Sequence, residues 1–430
     1  MTPHRSAPRR IAFAKGAAFV LALVSAASLA AEDLTPAFVA EHGDLLVSRV
    51  AYEGNKRTKN SVIDEIVDIR PGMRVSELDP EAAKQALLKA GIFSDASLSA
   101  EVEDSGVAVT VRVVEKWTFL PLPSGSWGSG GWSAALFLVD FNFLGLRKTA
   151  VLELSDSNLG WSGLAAYSDP RFLGSKTSFR AFADYENEEE TAEYMDKSTY
   201  ADFHETRADG GLSVQYPSEG ELQGELDLTA RYYQVGAAEA ASYGLYEDSL
   251  AIQAEATVNY DGQTVVGYRK IGPFASGTYE HSFALSGMPA FDLVTASAEW
   301  DAKTFLDGCL EAGASARASS GSFQSLSTLS GPGYRTLPYG ASYSPEAATA
   351  FAALALPIKL GWCAMELGPF YEAGIYRTGV DADKVDLFQG PGLLYRLYLR
   401  DIDLPAVEIA VAYNLPASVF AFSVNVGLSM

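Results

Sequence analysis

Side chains able to do covalent chemistry are few in this sequence, and their spacing gives them little to do. The four histidines, His4, His42, His204 and His281, are scattered without metal-ligand spacing. Two cysteines, Cys309 and Cys363, are too few for a disulfide scaffold. No G-x-S-x-G, H-E-x-x-H, Walker or G-x-G-x-x-G stretch occurs. No catalytic residue, metal site or cofactor is therefore expected, and the chain is not read as an enzyme. One charged residue stands out instead. In "LSGPGYRTLPYGA", Leu329 to Ala341, Arg335 sits among glycines, prolines and tyrosines, in a half of the chain that alternates apolar with small polar residues. An arginine facing lipid at a bilayer midplane costs about 2.5–3.5 kcal/mol even on lenient scales. If this half crosses a membrane, Arg335 needs a partner away from lipid; a solvated loop arginine is the alternative.

The elements that would position it begin with an export signal. Arg5, Arg9, Arg10 and Lys15 precede an apolar run from Gly16 to Val24, and small residues surround Ala30 and Ala31. Residues 1–31 read as a secretory signal peptide, with an uncleaved anchor as the alternative. Its removal takes the formal charge from −22 to −26. With no basic stripe anywhere, that charge argues against nucleic acid or another polyanion as partner.

Residues 45–116 read as a small α+β domain. An apolar strand from Leu46 to Tyr52 closes on the turn Gly54-Asn55. Thr58 is expected to cap a first helix whose face carries Val62, Ile63, Ile66 and Val67. A second helix has Asp79 as cap and Pro80 at its first position, and stops at Gly91. Two alternating strands follow, with Leu98, Ala100 and Val102 on one side of the first, and Val107, Val109, Val111 and Val113 on one side of the second. The expected order is β-α-α-β-β.

From Trp117 onward, segments of about ten residues alternate strictly between turn signals. Leu222, Leu226, Leu228 and Tyr232 oppose Gln223, Glu225, Asp227, Thr229 and Arg231; Phe420, Phe422, Val424 and Val426 oppose Ala421, Ser423 and Asn425. A soluble sandwich would alternate in the same way. The export signal, the number of such segments and an apolar final strand favour a transmembrane barrel of sixteen antiparallel strands over residues 117–430, with both termini in the periplasm. Each segment is long enough for the ~9–11 residues a tilted strand needs to cross a bilayer.

Motifs in both halves carry a resemblance. Residues 47–116 resemble a POTRA domain: Gly-Asn after the first strand, Pro-Gly between the helices, L-x-x-x-G-x-F at Leu87 to Phe93, and a closing Val-Val-Glu-Lys. The turns "DFNFLG" (140–145) and "SDPRFLGSK" (168–176) resemble early periplasmic turns of the BamA/TamA family of POTRA-barrel outer-membrane proteins. The resemblance implies a factor that helps insert other barrels into the outer membrane. Its partners would be the lipid bilayer and unfolded outer-membrane protein clients, with periplasmic or lipoprotein partners left open. The alternatives are a polypeptide-secreting pore of the two-partner type and a passive porin or structural barrel.

The resemblance also gives Arg335 a partner. In that family an Arg on a loop folded into the barrel meets an acid of an F-x-D-x-G motif on strand thirteen. Here that motif reads "FYEAG", so Phe370, Glu372 and Gly374 are implied with Arg335 as a lumen lock. Thr336 stands where the family has Gly, and Glu372 where it has Asp. A free edge of the small domain, Ser97, Leu98, Ser99, Ala100 and Glu101, is a candidate strand-accepting edge for clients; a merely solvated edge is the alternative. Pro121 and Pro123 lack donors on one edge of the expected first strand, so Pro121, Pro123 and Ser124, facing Asn425 of the last strand, mark a candidate lateral seam. Cys309 and Cys363, on expected strands eleven and thirteen, would lie ~10 Å apart and are expected as free thiols. The acidic stretch Asn187 to Glu205 is expected as a solvated loop.

Overall fold

The computed structural model describes all residues except 1–31, 130, 194–198, 219, 267, 322–331, 338–343, 361–362, 378–383, 400–404 and 428–430. The expected signal peptide lies outside the described residues.

The N-terminal domain comprises β1 (Glu32–Asp33), α1 (Pro36–His42), β2 (Val47–Glu53), α2 (Asn60–Val67), α3 (Pro80–Lys89), β3 (Phe93–Glu103) and β4 (Gly106–Glu115). Its sheet order is β1-β3-β4-β2, with β2 and β4 parallel. The alternation read from the sequence follows burial, since Ala96, Leu98 and Ala100 on β3 and Val107, Val109, Val111 and Val113 on β4 are buried. On α3, Asp79 accepts the Ala82 N–H at 2.9 Å, and Gly91 ends the turn in the left-handed region (φ +81°). Thr58 does not cap α2: the cap position is Lys59, with no side-chain bond. Thr58 is used elsewhere, because its N–H donates to Glu115 at 2.6 Å alongside those of Lys56 and Arg57 at 3.1 Å. Burial pushes the Glu115 carboxyl up, but the bonds from Thr58, Arg57 and Lys56 outweigh it and hold its pKa below the ordinary value. The Gly-Asn turn and the closing Val-Val-Glu-Lys are thus one structure. Gly54 takes φ +87°, where a Cβ would overlap the Val113 carbonyl.

The second half runs through β5 (Phe119–Gly128), β6 (Gly131–Phe143), β7 (Lys148–Ser157), β8 (Gly160–Asp169), β9 (Ser178–Glu193), β10 (Thr199–Tyr216) and β11 (Leu222–Val235). A short α4 (Ala237–Tyr243) leads to β12 (Asp248–Asp261) and the three-residue β13 (Thr264–Val266). Then follow β14 (Arg269–Ser286), β15 (Phe291–Lys303), β16 (Cys309–Ser319), β17 (Glu346–Lys359), β18 (Cys363–Arg377), β19 (Val385–Leu399), β20 (Pro405–Asn414) and β21 (Val419–Val426). Setting aside β13, which pairs only with β14, these are sixteen antiparallel strands, and β21 pairs with β5 to close the barrel. The first strand starts at Phe119 rather than Trp117. The acidic stretch from Asn187 to Glu205 is not a loop over its described part: β9 and β10 extend through it in register, Asn187 facing Thr206 and Glu190 facing Phe203.

Alternation sorts the barrel's two surfaces. Leu222, Leu226, Leu228, Leu367, Tyr371, Ile375, Phe420 and Phe422 are exposed on the outside, whereas Asp209, Glu366 and Glu372 are buried inside. An apolar exterior around a charged interior is what a bilayer-spanning barrel requires. Inside, glycines on one strand accept aromatic rings from the next. A Cβ on Gly392 would overlap the Phe370 ring, and one on Gly374 the Phe388 ring, so β18 and β19 interlock in both directions. Cys309 and Cys363 begin β16 and β18, both buried and unbridged.

Candidate functional site

Three places combine unusual residues with unusual geometry. The first is inside the barrel, at the end distal to the start of β5. Of the Arg335 segment the described residues are Pro332 to Leu337, and they lie against the inner wall. Every even residue of β18 from Glu366 to Phe370 and Glu372 points inward, so "FYEAG" delivers Phe370 and Glu372 to the lumen and Tyr371 to the outside. Arg335 Nη1 lies 3.4 Å from Glu372 Oε1, with the side chains 8% and 0% exposed. Its guanidinium carbon sits 5.6 Å from the Phe370 ring centre, within cation–π range. Gly374 leaves room for Phe388, which packs with Tyr376, Ala347 and Leu337.

Glu372 does more than meet Arg335. It accepts the N–H of Gly333 at 2.9 Å and of Thr336 at 3.1 Å. Two of the segment's carbonyls are bound to the wall too: Thr349 Oγ1 donates to Gly333 at 2.6 Å and Asn414 Nδ2 to Thr336 at 3.0 Å. The hydroxyl of Thr336, fully buried, has no hydrogen-bond partner among the described residues. The residue replacing the family's Gly fits the backbone path but leaves its own oxygen unsatisfied.

Sequence reasoning missed the rest of this network. Arg335 Nη2 also lies 3.4 Å from Glu408 Oε1 on β20. Glu408 Oε2 meets Arg396 Nε on β19 at 2.9 Å, and Arg396 Nη1 meets Glu311 on β16 at 2.7 Å. Arg396 stands in register with Glu366, and Glu366 is paired with Arg269, the first residue of β14. Arg269 follows the β13 turn at the barrel's proximal end, and the neighbouring Tyr268 ring lies 4.8 Å from that of Tyr398 on β19. Alternating charges therefore line one wall from a proximal hairpin to the distal segment. The available signal was one charge in an apolar strand: Arg396 in "LLYRLYL" and Glu408 in "AVEIAV".

The second place is the junction of β5 and β21. Among the described residues its register holds four pairs, from Ser423↔Gly128 to Val426↔Gly125, against ten between β5 and β6 and eight between β20 and β21. Ser129 N–H donates to the Phe422 carbonyl, so odd residues of this strand address β21. Pro121 and Pro123 share that parity, which puts their missing donors on the junction edge. Both prolines lie within β5, paired with Leu138 and Leu136 of β6. Asn425 registers with Ser126 rather than Ser124, whose hydroxyl reaches the Val426 carbonyl at 3.2 Å.

The third place is β3, and here the expected free edge is corrected. Ser97, Leu98, Ser99, Ala100 and Glu101 do lie on β3, but its outer edge is occupied over part of its length. Glu32 pairs with Ala100 and Asp33 with Ser99, and Leu34 N–H donates to the Leu98 carbonyl at 2.9 Å. The sequence reading began the domain at residue 45 and so omitted the strand that covers it. Among the described residues, no group of three His, Cys, Asp or Glu side chains is placed to hold a metal ion.

Comparison with known proteins places these features in a fold. Residues 45–116 match the sequence model of the POTRA family, surface antigen variable number repeat. The structure superposes on BamA from Haemophilus ducreyi lacking POTRA domains 1–3 with a TM-score of 0.70 at 14% identity, covering 89% of this chain and 85% of that one. CdiB from Acinetobacter baumannii gives 0.54 at 10% identity, covering 90% and 74%, and CdiB from Escherichia coli 0.55 at 12%, covering 90% and 77%. A search of curated proteins gave no match. The resemblance read from the turn motifs thus holds at the level of the fold: a POTRA domain followed by a closed sixteen-stranded barrel.

Proposed function

We propose that this chain is an outer-membrane assembly factor. Its POTRA domain, in the periplasm, docks extended segments of unfolded barrel proteins. Its barrel lets them into the bilayer through the β5–β21 seam. The observation that carries the reading is the seam: four registered pairs among the described residues, with two prolines withholding donors from the same edge. A strand joined so briefly can exchange partners, because an incoming strand supplies the same backbone groups that it displaces. No covalent chemistry is required, and no cofactor.

The test is a disulfide between Ser126→Cys and Asn425→Cys, which face each other as a non-hydrogen-bonded pair suited to bridging. In cells, oxidation is expected to stop assembly of other barrels and reductant to restore it. A bridged barrel that supports full assembly overturns the reading. Secretion of a partner polypeptide is the second reading, favoured by the likeness to CdiB. It replaces the first if depletion of this chain abolishes one exported polypeptide and leaves outer-membrane barrels at normal levels.

A further inference from the structure

Three turns at the proximal rim of the barrel repeat one arrangement. Phe143-Leu144-Gly145 joins β6 to β7, Phe172-Leu173-Gly174 joins β8 to β9, and Phe305-Leu306-Asp307 joins β15 to β16. In each, the leucine and the residue after it take left-handed backbone, with φ of +56°, +54° and +54° at the leucines. The N–H two residues after the leucine then donates to the phenylalanine carbonyl: Leu146 to Phe143 and Ser175 to Phe172 at 3.1 Å, and Gly308 to Phe305 at 3.0 Å. This is the type I′ turn, whose first central position favours asparagine, aspartate or glycine. A leucine there is strained. The other non-glycine residues with positive φ among the described residues are Asp68, Arg147, Asp307 and Ser418, all polar.

Strain of this kind persists only where something compensates it. Burial against the described residues does not, because the three leucines are 66%, 87% and 78% exposed in chain order. What lies beside them is the outer surface of the wall. Phe172 stacks on Phe179, with ring centres 5.0 Å apart. Phe179 faces outward, since the residues of opposite parity on β9, Asp184 and Glu186, line the lumen with Arg207 and Asp209. On β16, Glu311 meets Arg396 in the lumen, so Leu310 faces out, as does Trp300 one step further along β15. Both are exposed, and Phe305 and Leu306 continue that apolar surface beyond the strand ends. Arg171, Lys176 and Lys303 flank these turns, in a chain of net charge −22. Tryptophan with lysine and arginine at the end of a span is the composition of a bilayer interface. The turns are also spread around the rim, with β10, β11, β12 and β14 between the second and the third. A docked protein would have to encircle the barrel to meet all three, whereas a lipid leaflet surrounds it.

We propose that Leu144, Leu173 and Leu306 are bilayer anchors, each held out by its left-handed turn into the headgroup region of the leaflet at the proximal end of the barrel, with the neighbouring cations at the lipid phosphates. Burial in lipid offsets the backbone strain that asparagine or glycine would avoid. The inference is independent of whether the barrel inserts clients or secretes them.

The test uses the full chain in vesicles of phosphatidylcholine and phosphatidylglycerol, in a Cys309→Ala, Cys363→Ala background. A nitrobenzoxadiazole dye is attached at Leu173→Cys, at Leu306→Cys or, as reference, at Glu221→Cys in the polar turn between β10 and β11. Lipid with a nitroxide near the headgroup end of its acyl chain is expected to quench the dye about threefold more at 173 and at 306 than at 221, and iodide in the water to show the reverse order. Nitroxide quenching at either turn no stronger than at 221 overturns the proposal. A second measurement needs no cysteine variant to fold. In the unmodified chain, a lipid carrying a diazirine near its headgroup is expected to leave adducts on residues 172–174 and 305–307 and none on residues 217–221. Adducts missing from the first two turns, or equal on all three, reject the anchors as well.

Discussion

Removing Glu372 will free the Arg335 segment far more than removing Arg335. The family pattern alone treats the two as equal halves of an ion pair. The geometry does not. Arg335→Met deletes two contacts of 3.4 Å and leaves Glu372 with the N–H groups of Gly333 and Thr336. Glu372→Ala leaves both of those buried N–H groups unpaired, at about 1–3 kcal/mol each, and leaves Arg335 with Glu408 alone. The difference is then about 2–6 kcal/mol on the N–H groups, reduced where lumen water reaches them. Because 1.4 kcal/mol is a factor of ten in an opening equilibrium, proteinase K should cut the connection between β16 and β17 at least ten times faster in Glu372→Ala than in Arg335→Met. The assay is cleavage of the intact chain in vesicles, at protease levels where the rate follows the open fraction. The double variant should cut measurably slower than the sum of the single effects predicts, because the Arg335–Glu372 contact that each single variant removes is lost only once. Equal rates in the two single variants, or strict additivity in the double, would refute the argument.

Three further outcomes are expected. Thr336→Val, which removes a buried hydroxyl without a described partner, should leave the fold intact and slow that same cleavage, by about 1–3 kcal/mol in opening free energy. Gly392→Ala places a methyl group against the Phe370 ring and should destabilise the barrel by about 1–3 kcal/mol, seen as a lower temperature of the heat-induced gel shift; the surface variant Ser99→Ala should not shift it. Glu115 has a lowered pKa, so its contribution is present above the ordinary carboxylate value and is lost as pH falls through the lowered one. Exchange protection of the Lys56, Arg57 and Thr58 amides should fall in that acid window, and Glu115→Gln should remove the step.

The fold was legible because its signals are local. Strand period, turn residues and the caps at Asp79 and Gly91 act within a few residues of where they stand, and each matches its element. The Arg335–Glu372 approach could be anticipated only through a motif, because 37 residues separate the partners and nothing local encodes their meeting. Glu408, Arg396 and Glu311 were missed for a related reason. A lone charge in an apolar strand marks the inner face, but which charges meet depends on barrel register, a property of all sixteen strands together. The covering of β3 escaped because residues 32–34 are too short for any period. Their strand character comes from the edge they pair with.

Insertion and secretion would make different demands on this barrel, and the two demands can be compared. Passage through the lumen requires the Arg335 segment to leave. Its two bonds to Glu372 have a charged acceptor, at about 1.5–3 kcal/mol each, and those to Thr349 and Asn414 about 0.5–1.5 each. Burial of Leu337 adds about 1.5–3 kcal/mol. A polypeptide in transit restores none of these, since its side chains change from residue to residue. The hairpin that ends in Arg269 and its bond to Glu366 lie on the same route at the other end. Among the described residues, opening the seam instead breaks about four ladder bonds on two hydrogen-bonded pairs, the two bonds between Ser129 and Phe422, and that from the Ser124 hydroxyl to the Val426 carbonyl, each about 0.5–1.5 kcal/mol net. An invading strand replaces them one for one, whatever its side chains, so the exchange is close to neutral once begun. Under the assembly role we propose, the seam is therefore the lower-cost exit for an extended chain. If so, seam crosslinking should block traffic through this protein while a crosslink fixing the Arg335 segment to β18 should not. Block by the second crosslink and passage under the first would place the route in the lumen.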